Sequence, residues 1–205
     1  MNSTLKIVQI PAGKMDNFSY LVYCPETGEG IGVDPSLEPE KLLETCREHG
    51  VTLTTLVNTH GHNDHIAGND AILKATGAKL AAHPLELKAD IELLEGSVLQ
   101  VGHGEVSILH TPGHTPGSLT LNPPGALLTG DTLFVTRCGR ADFPKSDPIA
   151  LYHSLKRLAE FPPETKIYPG HDYGPQPNST IAYEHENNEF LRCPDLESFI
   201  TLRMG

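Results

Sequence analysis

Thr54-Thr55-Leu56-Val57-Asn58-Thr59 is a β-branched and apolar run that stops at His60-Gly61-His62-Asn63-Asp64-His65, where four metal-ligand side chains fall within six residues. The run predicts a buried strand over 54–59. Extended or turn geometry after it sends His60 and His62 to the same side. Asp64 and His65, at the turn into a helix predicted over 66–76, face a neighbouring point. Two adjacent points suit two metal ions rather than one.

On either side of this motif lie short β-rich runs punctuated by glycine and proline. Upstream, 5–10, 18–23 and 31–34 predict strands. A helix follows over 39–49, with Leu42, Leu43 and Cys46 on one face and Gly50 closing it. Downstream, 79–82, 98–101, 106–110, 118–121 and 126–129 predict strands, and 148–160 and 179–191 predict helices. Two batches of strands, each followed by helix, predict an α+β, four-layer αββα sandwich: two sheets face to face with helices on both outer faces. No linker or repeat divides the chain, so 1–205 reads as one domain with a short helical tail over 192–205. In that tail Leu196, Phe199, Ile200 and Leu202 are spaced to dock on the core or on a partner. The acidic stretch from Glu184 to Glu189 reads as the solvated face of a helix.

Three further ligand candidates follow strands, each preceded by a glycine that permits close backbone approach. They are His114 in Thr111-Pro112-Gly113-His114-Thr115-Pro116-Gly117, Asp131 in Gly130-Asp131-Thr132-Leu133-Phe134, and His171 in Pro169-Gly170-His171-Asp172-Tyr173. Five histidines and two aspartates form a nitrogen and oxygen donor set that suits zinc, iron or manganese and implies no thiolate chemistry. The remaining histidines read as structural or exposed, with His110, four residues before His114, the one nearest the site.

The 205 residues carry a formal charge of -11, which argues against nucleic acid and anionic membrane as partners, since a polyanion needs clustered positive surface. No uninterrupted apolar run approaches the roughly 20 residues of a membrane span. The first residues lack a basic region, a sustained apolar stretch and a cleavage site, so the expected location is the cytoplasm. Four widely spaced cysteines, Cys24, Cys46, Cys138 and Cys193, read as thiols in a reducing compartment.

Taken together, these motifs resemble the metallo-β-lactamase superfamily across about residues 5–191, and the resemblance implies its αββα fold. It implies that His60, His62 and His114 hold one divalent metal, that Asp64, His65 and His171 hold a second, and that Asp131 bridges them together with a water or hydroxide. Zinc is the expected metal, with iron and manganese also compatible. Asp64 would orient the water or carry its proton. The 17-residue step from His114 to Asp131 leaves no room for the inserted domains of the nucleases and phosphodiesterases of the superfamily.

Two branches remain. Thr115-Pro116-Gly117, Gly130-Asp131-Thr132-Leu133-Phe134, Cys138-Gly139-Arg140 and Tyr173 two residues after His171 resemble hydroxyacylglutathione hydrolases, the glyoxalase II enzymes. That implies a thioester hydrolase acting on a small thiol ester, glutathione-linked in that family, with Arg140 and Tyr173 on the substrate side. A thiolate leaving group needs no strong general acid, which suits the chemistry. Gly139-Arg140-Ala141-Asp142-Phe143 instead resembles the Gly-Arg-Thr-Asp-Phe of persulfide dioxygenases, in which a single Fe(II) would sit on His60, His114 and Asp131. A third reading is a non-catalytic, metal-bound module that senses a small thiol. Arg140 is equally suited to pairing with Asp142, Tyr173 to core packing, and Cys138 to packing as a small residue.

Overall fold

Phe18, Tyr20 and Val22 alternate with Ser19 and Leu21 along one strand, and this period of two sends each side chain to a different layer. The first set packs with Val101, Ile108, Leu119 and Leu121 in the core between two sheets. Leu21 packs outward with Leu42, Cys46, Leu56 and Ile72 beneath helices. The computed structural model describes residues 5–205.

The first sheet has the order β1 (Lys6–Pro11), β2 (Phe18–Tyr23), β3 (Glu29–Val33), β4 (Thr52–Val57), β5 (Lys79–Ala82) and β6 (Ile91–Glu92). Its first three strands are antiparallel neighbours, and β3 to β6 are parallel. Parallel pairing requires crossovers. Helix α1 (Pro39–His49) joins β3 to β4, and α2 (Asn63–Ile66) with α3 (Asn69–Thr76) joins β4 to β5. The second sheet begins with β7 (Val98–Val101), β8 (Gly104–His110), β9 (Leu119–Asn122) and β10 (Ala126–Gly130). A small hairpin, β11 (Leu133–Phe134) and β12 (Arg137–Cys138), precedes α4 (Pro148–Ala159). Then β13 (Lys166–Pro169) pairs parallel to β10, and β14 (Ser179–Thr180) pairs antiparallel to β13. Helices α5 (Ile181–Asn187), α6 (Glu189–Arg192) and α7 (Leu196–Met204) follow and pack with α4 over Leu127, Leu155, Ile167 and Phe199. The layers are those of the αββα sandwich. Phe199 of the tail is fully buried, so α7 docks on this core.

Several expected boundaries shift. The helix expected over 66–76 is interrupted at Ala67 and Gly68, between α2 and α3, where the backbone packs so close to Pro39 and Ser36 that a Cβ at Gly68 would stand 2.8 Å from Pro39 Cβ. The helix expected over 179–191 begins as strand β14 and breaks again at Asn188, whose side chain caps α6 at the amides of Phe190 and Leu191. Glu184 is not solvated: it is fully buried, accepting from Ser179 Oγ (2.6 Å), Asn188 Nδ2 (2.8 Å) and the Thr136 amide (2.8 Å). Strands β6, β11, β12, β13 and β14 were not legible as strands, being two to four residues long. Asp34, expected at the end of a strand, lies just beyond β3 in the left-handed region at φ 46°. Among the described residues no helix is long and apolar enough to cross a membrane.

Candidate metal centre

The loops leaving the carboxyl ends of β4, β8, β10 and β13 converge, the usual place for strands to deliver functional side chains. They bring all seven expected side chains together in two groups. In the first, His62 Nδ1 lies 3.1 Å from His60 Nε2 and 3.0 Å from His114 Nε2. In the second, His65 Nε2 and His171 Nε2 are 3.1 Å apart, with Asp64 Oδ2 at 3.5 and 3.4 Å from them. Asp131 lies between the groups, its Oδ1 3.3 Å from His65 Nε2 and its Oδ2 3.4 Å from His171 Nε2 and 3.6 Å from His114 Nε2.

The far sides of the rings fix where their protons sit. Thr59 Oγ1 donates to Asp34 Oδ2 (2.6 Å), so it accepts from His60 Nδ1 (3.1 Å). His65 Nδ1 donates to Asp34 Oδ2 (3.1 Å), His114 Nδ1 to the Arg140 carbonyl (2.9 Å) and His171 Nδ1 to the Met15 carbonyl (2.8 Å). Each of these four rings, when neutral, therefore turns its Nε2 lone pair inward, while His62 turns Nδ1 inward. Lone pairs facing one another at hydrogen-bond distance are costly, and so is the buried Asp131 Oδ1, which no hydrogen bond satisfies. Cations placed between these atoms remove both penalties, and the outer partners supply the orientation that histidine ligands require. The residues fit a metal pair.

Electrostatics point the same way. Burial pushes the His60 imidazole well below the usual histidine range, and it lowers His114. Burial opposes charge at His65 and His171 too, yet Asp131, with Asp34 beside His65, overcomes it and raises both. The Asp131 carboxyl, although burial works against its charge, is held well below the carboxylate range by His65 and His171. Buried carboxylates thus draw positive charge into the centre, and protons compete with metal for it.

Three flanking residues escaped sequence reasoning. Asp34 accepts from the Thr59 amide (2.9 Å) as well as from Thr59 Oγ1 and His65, so one buried carboxylate orients a ligand of each group. Its available signal was a carboxylate ending an apolar strand before Pro35. Asn17 donates to Asp64 Oδ2 (3.0 Å) and Glu86 accepts from backbone amides in two of the loops. Nothing in the linear pattern marked either. Gly170 matters by its lack of a side chain, since a Cβ there would collide with Asp131 Oδ1.

The expected substrate-side residues border a cleft of about 160 Å3 over the centre. Tyr173 is no core residue: it is 41% exposed and stacks on His171 at 4.6 Å between centroids. Arg140 is exposed, doubly hydrogen-bonded to Asp142 (2.9 and 2.7 Å) and poised 4.5 Å over the Phe143 ring. Phe143 in turn meets His62 and His114 edge-on. Cys138 is buried, and burial pushes its thiol up to about 12, which makes it a packing residue. His110 takes no part in the centre; it stacks on His83 at 4.6 Å.

The chain is 43% identical over 167 residues to the hydroxyacylglutathione hydrolase of Nitrosococcus oceani, a match covering 77% of this chain and 62% of that protein. The matched region is thus less than two thirds of the relative. The solved structure of ETHE1 from Myxococcus xanthus superposes with a TM-score of 0.92 at 32% identity, covering 98% of this chain and 90% of the other. TTHA1623, solved in a di-iron-bound form, superposes with a TM-score of 0.79 at 32% identity, covering 89% and 99%. Residues 12–171, which run from just before β2 to the last of the converging histidines, match the metallo-beta-lactamase superfamily as a whole, and the chain belongs to that superfamily.

Proposed function

We propose that this chain is a cytoplasmic metallo-hydrolase that cleaves small thiol esters, of the hydroxyacylglutathione hydrolase type, through a dinuclear centre. His60, His62 and His114 would hold one ion and Asp64, His65 and His171 the other, with Asp131 within reach of both. The observation that carries this reading is the second group: like the first three, Asp64, His65 and His171 offer ligand atoms within 4.8 Å of one another, which a single-ion centre would not require. Relatives named hydroxyacylglutathione hydrolase support the substrate class. Two divalent ions, zinc by first expectation, would lower the pKa of a shared water toward neutrality and polarise the thioester carbonyl.

The chain's own residues do the rest. Asp64 is the most exposed carboxylate of the centre, and Asn17 fixes one of its oxygens, so it is placed to orient a water and take its proton. Phe143 and Tyr173 flank the cleft and limit water around the reacting carbonyl, while Arg140 offers a cation at the rim. A pocket of about 380 Å3 beside it, walled by Leu85, Pro116, Phe143, Pro144 and Lys145, gives room for the rest of the substrate. The cysteines, all buried and without a disulfide among the described residues, agree with a reducing compartment.

The segment Gly139-Arg140-Ala141-Asp142-Phe143, with its resemblance to persulfide dioxygenases, favours a second reading, in which one Fe(II) would rest on His60, His114 and Asp131. Anaerobic purification with metal analysis, then parallel assays of S-lactoylglutathione hydrolysis and of oxygen uptake with glutathione persulfide, separates the two. About two metals per chain with thioester cleavage is the expected result. Oxygen uptake without cleavage, on a single iron, would replace the first reading with the second.

A further inference from the structure

The Glu86 carboxylate is shared between loops that belong to different sheets. Its Oε2 accepts from the Gly61 amide at 2.9 Å and its Oε1 from the Gly117 amide at 2.7 Å. Gly61 separates His60 from His62, and Gly117 lies in the turn that begins at His114. The two loops that supply the whole first ligand group are therefore held by one side chain. No hydrogen bond or ion pair joins Glu86 to Asp64, His65 or His171 among the described residues.

Both glycines are shaped to this contact. A Cβ on Gly61 would stand 2.9 Å from Glu86 Oε2, and one on Gly117 would stand 2.7 Å from Glu86 Cγ. Glu86 is itself anchored, because its amide donates to the His83 carbonyl (2.9 Å) and the Leu85 amide donates to His83 Nδ1 (3.2 Å). His83 stacks on His110, whose Nε2 donates to the Pro116 carbonyl (2.8 Å) next to Gly117. Among the described residues the one direct backbone hydrogen bond between the two segments, from the Leu119 amide to the Thr59 carbonyl (2.8 Å), ties their outer ends and leaves the turn from His60 to His62 to Glu86. Hydrogen bonds to an ionised acceptor are stronger than neutral ones, which suits a carboxylate for this task.

We propose that Glu86 is the positioning residue that sets the separation of His60, His62 and His114, and so the affinity of the first metal position alone; this rests on the dinuclear reading above. The test is Co(II) titration of the metal-free protein, followed by visible absorption and by metal analysis, in wild type, Glu86→Gln and Glu86→Ala. Wild type should take up about two Co(II) per chain. Both variants should bind one ion with unchanged affinity and the other at least about tenfold more weakly, the magnitude typical for loss of an outer partner. The absorption lost should be that of the all-histidine group.

Two Co(II) bound with wild-type affinities and spectrum in both variants would overturn the proposal, and so would equal weakening of both ions, the sign of general destabilisation. Fewer than two Co(II) in wild type would overturn the dinuclear reading and this inference with it, so the two failures are distinguishable. Should neither variant fold, amide hydrogen exchange in the wild-type holoprotein decides. Slow exchange at Gly61 and Gly117 supports the clamp, and exchange at the rate of a free peptide overturns it.

Discussion

His65 and His171 point their Nε2 atoms at each other across 3.1 Å while both Nδ1 atoms donate elsewhere, to Asp34 and to the Met15 carbonyl. Two such lone pairs repel unless a cation separates them. Metal should therefore stabilise the fold strongly, by about 4 kcal/mol at a free concentration 1,000 times Kd. For a chain of this size that corresponds to roughly 8–16 °C in Tm. The gap should also widen with pH. In the metal-free protein the raised His65 and His171 contribute stability that is complete below the unfolded pKa of about 6.5 and disappears as pH rises through their folded values. Bound metal has already displaced those protons. Calorimetry with and without chelator at several pH values checks this, and a gap that shrinks with rising pH would contradict it.

Asp34→Asn should weaken metal binding about 10–100-fold, since the amide NH2 would oppose one of the donors now facing the carboxylate. Leaving a buried donor unpaired should also cost about 1–3 kcal/mol in the metal-free protein. Metal titration and denaturant unfolding of the same variant separate the two effects.

Asp131→Ala removes a carboxylate whose oxygens lie within 3.6 Å of ring nitrogens in both groups. Thioester turnover should fall below detection and metal content should drop below two per chain. Retained turnover with both metals bound would show the ligand assignment to be wrong.

Arg140→Ala breaks an exposed pair with Asp142 and an exposed stack on the Phe143 ring, so its Tm should change little. If the guanidinium grips the substrate at the rim, KM should rise roughly tenfold with kcat preserved, the signature of binding energy shared by ground and transition states. A fall in kcat with unchanged KM would assign Arg140 a different task.

Cys138 should resist alkylation in the native protein at pH 8, because burial holds its thiol pKa up to about 12. A folded pKa above the unfolded one gives stability that is complete below the unfolded value, about 8.5, and is lost as pH rises toward the folded value. That is a loss of about 1.4 kcal/mol per pH unit from this thiol. Unfolding of wild type against Cys138→Ala between pH 9 and pH 11 measures the difference.

The four layers and the convergence of loops could be read from the chain because apolar periodicity and clustered donors are local signals. The largely apolar run of β2 and the strand leading to His60 each declare themselves within six residues. What was not legible depends on distant partners. Strand β13 is four residues long and exists because β10 lies beside it. Glu184 reads as solvated until Ser179, Thr136 and Asn188 are seen to surround it. Asp34 and Glu86 act through atoms contributed by residues 25 to 31 positions away, which no sequence window joins.

The chain passes between its two sheets at the exposed turn around Gly96, which lies after β6 and before β7. A protein cut there would yield two fragments, each with a six-stranded sheet's worth of sequence and neither with all seven converging side chains. The first would lack His114 and His171, and the second would lack His60, His62, Asp64 and His65. Metal uptake by the mixed fragments would then report their reassembly, making the centre a coincidence detector for two half-proteins.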